Sequence, residues 1–96
     1  MLEVRQTIQF SRWLRRLADA NASARIVARI RRMEMGNPGN CKSLGQGLME
    51  MRIDHGPGYR VYFVRRGSAV VILLCGGDKR TQEKDIARAR ALAESV

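Results

Sequence analysis

From Leu48 to Asp54 the chain alternates strictly. Leu48, Glu50, Arg52 and Asp54 fall on one side of an extended backbone, and Met49, Met51 and Ile53 on the other. Two more strands are predicted after it, at about 58–66 and 69–75, joined by turns at His55-Gly56-Pro57-Gly58 and Arg66-Gly67-Ser68. The last of them, Ala69 to Leu74, is apolar on both sides, which predicts a central place in a sheet. Upstream, Leu2, Val4 and Ile8 alternate with Glu3, Arg5 and Thr7 as a short first strand. The period then lengthens. Phe10, Trp13, Leu14 and Leu17 share a helical stripe that Ser11 can cap, and Ile26, Val27, Ile30 and Met33 share a second one. Asn21 and Ser23 mark the turn into that second helix, and Gly36 with Pro38 ends it. Asn37 to Gly47 reads as the long loop, and Thr81 to Glu94 as a final helix with Ile86, Ala89 and Ala93 inward. The order strand, helix, helix, three strands, helix is an α+β pattern, and residues 1–96 suit a single domain with a modest core.

Charge changes the picture. There are 18 Lys plus Arg against 9 Asp plus Glu, a formal net charge of +9, and 15 of the 18 cations are arginine. Arginine grips phosphate or carboxylate with a planar two-pronged fork, where lysine is a point charge. Solubility alone can make a small protein basic, but this excess points to an anionic partner, either nucleic acid or an acidic protein segment. Seven of the arginines, from Arg12 to Arg32, lie on the two N-terminal helices, where they suit docking better than chemistry. Cys41 sits in a polar loop and Cys75 at the end of an apolar strand, without CxxC spacing, which fits reduced thiols rather than a zinc site. The N-terminus has no signal-like apolar region and no stretch is long enough to span a bilayer, so the expected place is the cytoplasm, without a membrane partner.

One strand face gathers an acid and several cations, a composition suited to RNA chemistry. Metal-free RNA cleavage needs a base for the 2′-hydroxyl proton, charge stabilisation at phosphorus and help for the leaving oxygen. Arginine stays protonated, so Glu50 is the base candidate. Arg52, Arg60, Lys79 and Arg80 are the candidates for holding phosphate. Glu50 and Arg52 share a strand face, and Arg60 joins them if the hairpin is in register. The alternative is a cross-strand Glu50–Arg60 ion pair on an exposed sheet, energetically minor. His55, the sole histidine, is a further candidate acid or base, although a turn histidine is more often just solvated. Trp13 and Phe10 are spaced for core packing rather than for stacking on bases. Gly76-Gly77-Asp78-Lys79 lacks the spacing of a phosphate-binding P-loop, and no metal-binding or nucleophilic-triad pattern is present, so no metal or cofactor is expected. The glycine pair is expected to let the strand turn and bring backbone near a phosphate or partner.

Gly58-Tyr59-Arg60-Val61-Tyr62-Phe63, the apolar strand Val70 to Cys75, and Lys79-Arg80 at the opening of a helix together resemble the RelE/ParE toxin superfamily of bacterial type II toxin–antitoxin systems. Within it the chain is most similar to the HigB-like addiction module killer proteins, and the resemblance covers residues 2–94. It implies a RelE-like fold: a small antiparallel or mixed four-stranded sheet packed against an N-terminal helical hairpin and a C-terminal helix. It also implies an endoribonuclease that cuts mRNA on the ribosome and inhibits translation. Glu50, Arg52, Arg60, Lys79 and Arg80 would occupy the catalytic positions, with Glu50 where several relatives carry a base. The implied partner is an antitoxin, of helix-turn-helix type and encoded in the same operon. RelE-type members also use a Tyr or His in the C-terminal segment, and this chain has neither after Tyr62. That departure keeps open a ParE-like toxin that inhibits DNA gyrase by binding alone, or a member that acts only with its antitoxin on operator DNA.

Overall fold

Thr7 starts the first helix. Its Oγ1 accepts from the Phe10 amide at 3.0 Å and donates to the Leu74 carbonyl at 2.6 Å, so one side chain both caps the helix and ties it to the sheet. The computed structural model describes residues 1–96 as β1 (Glu3–Gln6), α1 (Ile8–Arg16), α2 (Ala20–Glu34), β2 (Cys41–Gly45), β3 (Leu48–Ile53), β4 (Tyr59–Arg66), β5 (Val70–Asp78), a 3-10 turn (Lys79–Thr81) and α3 (Gln82–Ser95). Ser11 therefore lies inside α1 and bonds Gln6 instead of capping. Asn21 and Ser23 lie inside α2, whose cap is Asp19, accepting from the amides of Asn21 and Ala22.

The fold is α+β with a five-stranded mixed sheet in the order β1-β5-β4-β3-β2. β1 runs parallel to β5 and every other pairing is antiparallel. The expectation of four strands is corrected by β2, which forms inside the expected loop. Gln46 and Gly47, both at positive φ, make a two-residue turn that folds Cys41–Gly45 back onto β3. β5 is an inner strand, as its two apolar sides require, and it runs on through Asp78.

The sheet has a core on each face. On one, Phe10, Ile26, Ile30 and Met33 of the helical pair cover Met51, Ile53, Val61, Phe63, Val71 and Leu73. Val27, expected on the inner stripe, is exposed there. On the other face, α3 sets Ala89 against Leu48, Tyr62, Val64, Leu74 and Cys75, with Ile86 and Ala93 beside them. Gly76 and Gly77, the last residues of β5 before Asp78, lie between these layers. A Cβ on Gly76 would stand 2.3 Å from the Trp13 ring, and one on Gly77 1.8 Å from an Asp85 oxygen. The pair thus admits α1 on one side and α3 on the other rather than bending the strand. No helix is long and apolar enough to cross a membrane.

Candidate functional site

β3 and β4 pair so that Glu50 stands opposite Tyr62, and Arg52 opposite Arg60. Like charges across one rung repel, so the Arg52–Arg60 rung is costly unless an anion lies between them. Arg60 leans back along the strand. Its Nη1 donates to the Gly58 carbonyl at 3.0 Å and its Nε lies 3.8 Å from Glu50 Oε2. Lys42 of β2, also opposite Glu50, brings Nζ to 4.0 Å from Oε1. Gln82, the first residue of α3, donates to Glu50 Oε2 at 3.0 Å.

The open acid–base–acid row expected on β3 is corrected by α3, which roofs this face. Glu50 is 0% exposed and Arg60 5%, whereas Arg52, one rung further out, is exposed. The Glu50–Arg60 pair is thus diagonal and buried, not a rung on a solvated sheet. Three buried polar atoms gather here without a hydrogen-bond partner: Glu50 Oε1, Arg60 Nε and Tyr62 Oη. Burial, and then the Glu50 carboxylate, push the Tyr62 phenol well above its ordinary range. Next to them Asp85 of α3 is also buried and accepts from Thr81 Oγ1 at 2.5 Å. The Cys75 thiol donates to the Asp85 carbonyl at 3.6 Å, and burial, then the charge of Asp85, push it up to about 12.

The two remaining expected residues flank this cluster. Lys79 is exposed on the 3-10 turn, with its Cβ 4.0 Å from where a Cβ on Gly58 would stand. Arg80 is engaged locally, its Nη2 2.9 Å from Asp78 Oδ2, while Asp78 Oδ1 accepts from the Arg80 amide at 2.8 Å. The bond to the Arg80 side chain holds Asp78 below the usual carboxylate range. At the turn end of the β3–β4 hairpin, Arg52, Arg60, Asn40, Asp54 and Tyr59 line a cleft of 280 Å³.

Three further residues take roles that the sequence reading did not assign them. Arg29, expected on a docking surface, instead donates to the carbonyls of Arg52 at 2.6 Å, Pro38 at 3.0 Å and Asn40 at 3.3 Å, lashing α2 to both walls of the cleft. Tyr62 lies two residues beyond Arg60 and so shares its face, a signal that was legible. His55 binds Asp19 Oδ2 at 3.0 Å, joining the β3–β4 turn to the cap of α2 and pulling Asp19 below its usual range. It does not line the cleft.

An uncharacterized protein of Haemophilus influenzae is 47% identical over 95 residues, covering 99% of this chain and 96% of its own length. The family model described as phage derived protein Gp49-like (DUF891) matches residues 12–94, which include every residue of the cluster and the cleft. The chain belongs to this Gp49-like family of phage-derived proteins, a family consistent with the toxin–antitoxin role that the sequence suggests.

Proposed function

We propose that the protein is the toxin of a type II toxin–antitoxin pair and a metal-independent endoribonuclease acting on translated mRNA. The observation that supports this best is the Arg52–Arg60 rung lining the cleft, where the exposed Arg52 has no ion-pair partner and the buried Arg60 is held beside it by Glu50 and the Gly58 carbonyl, a pair of cations that an RNA phosphate could bridge. In the reaction, the 2′-oxygen attacks the adjacent phosphorus and its proton passes to a base. The 5′-oxygen leaves and takes up a proton, giving a 2′,3′-cyclic phosphate and a 5′-hydroxyl. Arg52 and Arg60 hold the phosphate and stabilise its added charge, and Lys79 and Arg80 steer the strand from the 3-10 turn. Glu50 fixes Arg60 and takes the 2′-proton once the Gln82 side chain swings aside. That motion breaks one hydrogen bond to a charged group, about 1.5–3 kcal/mol. The antitoxin, of helix-turn-helix type and encoded in the same operon, would neutralise the +9 surface through an acidic segment.

The complete burial of Glu50 favours a second reading, a ParE-like inhibitor that binds DNA gyrase and cuts nothing. Mapping mRNA 5′ ends after induction without antitoxin separates the two. Cleavage is expected in translated regions of the wild type and strongly reduced for Arg52→Ala, an exposed residue whose loss changes stability by less than about 0.5 kcal/mol. Intact transcripts with falling DNA supercoiling would support the gyrase reading instead.

A further inference from the structure

The cleft contains one residue that a phosphate site does not call for. Asp54 lies within it beside two arginines, yet neither Asp54 nor Arg52 joins any of the ion pairs in the molecule. A free carboxylate would repel the phosphate that Arg52 and Arg60 attract, so it must face a different part of the ligand. Tyr59 supplies the surface that part needs. Its ring is half-buried and held edge-on by Trp13, with centroids 6.4 Å apart and planes at 62°. Gly56 lies against the Cε2 edge of the ring, where a Cβ would stand 3.7 Å away in ordinary contact. A volume of 280 Å³ lies at the small end of ligand pockets, room for about one nucleotide.

We infer that this cleft is a single-nucleotide pocket that selects guanine. Tyr59 stacks on the base, Asp54 accepts from the paired N1–H and N2–H donors of its edge, and Arg52 and Arg60 hold the attached phosphate. Guanine is the one common base that presents two adjacent donors to a carboxylate; cytosine and adenine offer a single amine. The inference deepens the RNA-cleavage reading and rests on it for the identity of the ligand, but its test needs no cleavage.

Trp13 is the sole tryptophan and touches Tyr59, so its fluorescence reports on the pocket. The protein is titrated with guanosine 3′-monophosphate and with adenosine 3′-monophosphate. The guanine nucleotide is expected to bind at least about tenfold more tightly, the scale of one good bidentate contact. Asp54→Asn should erase the difference while leaving phosphate-dependent binding, and Tyr59→Leu should weaken both nucleotides. Equal affinities in the wild type, or a guanine preference that survives Asp54→Asn, would overturn the pocket assignment. Folding of each variant is checked by circular dichroism, and Asp54, being exposed, is not expected to affect it. Message cleavage without guanine selection would remove this inference alone. Guanine binding in a protein that cuts no RNA would remove the nuclease reading alone.

Discussion

Glu50 is a carboxylate sealed from water, held by one amide and lying near two cations. Its neighbours decide what its loss costs. Glu50→Gln leaves Arg60 as a buried cation without its counter-charge, so stability should fall by about 3 kcal/mol, as when one partner of a buried pair is removed. Urea unfolding measures this, and a loss below about 1 kcal/mol would mean that the pair behaves like an exposed one. The same variant, assayed by single-turnover cleavage where it remains folded, should be slower by about 100-fold, the scale of lost proton-transfer assistance. Strand alternation made it legible that Glu50, Arg52 and Arg60 share a face. It could not show that a helix 32 residues further along roofs Glu50 and not Arg52. Coverage of that kind depends on how far α3 extends over the sheet, and nothing local to β3 encodes it. Arg29 is a similar case: three backbone carbonyls define its role, and carbonyls leave no trace in composition.

At the scale of elements, the end of β5 governs how closely the two helical layers approach. Gly77→Ala places a methyl group where Asp85 Oδ2 now sits, and Asp85 is itself bonded to Thr81 in the first turn of α3. Overpacking of this kind costs about 1–3 kcal/mol. Because it pushes on the turn carrying Gln82, it should also loosen the cover over Glu50. Shortening the opposing side chain, as in Gly77→Ala with Asp85→Ser, should recover part of the stability; thermal unfolding of the single and double variants tests the coupling. Most elements were readable because their periods are strong, as in α2 or the doubly apolar β5. β2 was missed because five residues between glycine- and asparagine-rich flanks look like loop, although Gln46-Gly47 between Leu44 and Leu48 was a usable hairpin signal. The helix starts shifted because Thr7 and Asp19 compete with later Ser and Asn residues for the cap, and sheet contacts settle the contest.

The molecule as a whole divides its chemistry between its two faces: the helical pair covers an apolar core, whereas α3 covers one that includes Glu50, Arg60, Tyr62, Cys75 and Asp85. That asymmetry predicts alkaline lability centred under α3. Cys75 and Tyr62 are both kept neutral, chiefly by burial and then by nearby carboxylates, so their pKa values in the folded protein lie above those of the unfolded chain. Groups raised in this way contribute stability that is fully present below their unfolded pKa, about 8.5 for Cys and about 10 for Tyr. The contribution is lost as pH rises through the folded value, about 12 for Cys75. In between, the unfolded chain has released protons that the folded chain retains, so stability falls with pH at a slope approaching one proton above about pH 9 and two above about pH 10. The arginines remain protonated throughout and do not offset this. Urea midpoints measured from pH 7 to 11 should therefore decline, first from Cys75 and then more steeply. Cys75→Ala should remove most of the early decline, leaving the part owed to Cys41, whose thiol is also raised by burial, at the cost of a lower starting stability. Tyr62→Phe should remove the later decline with little loss at pH 7, since it deletes a hydroxyl that has no hydrogen-bond partner. A wild-type midpoint that stays flat to pH 11 would mean that water reaches these groups and that α3 stands off the sheet in solution, leaving Glu50 open to substrate without any movement of Gln82.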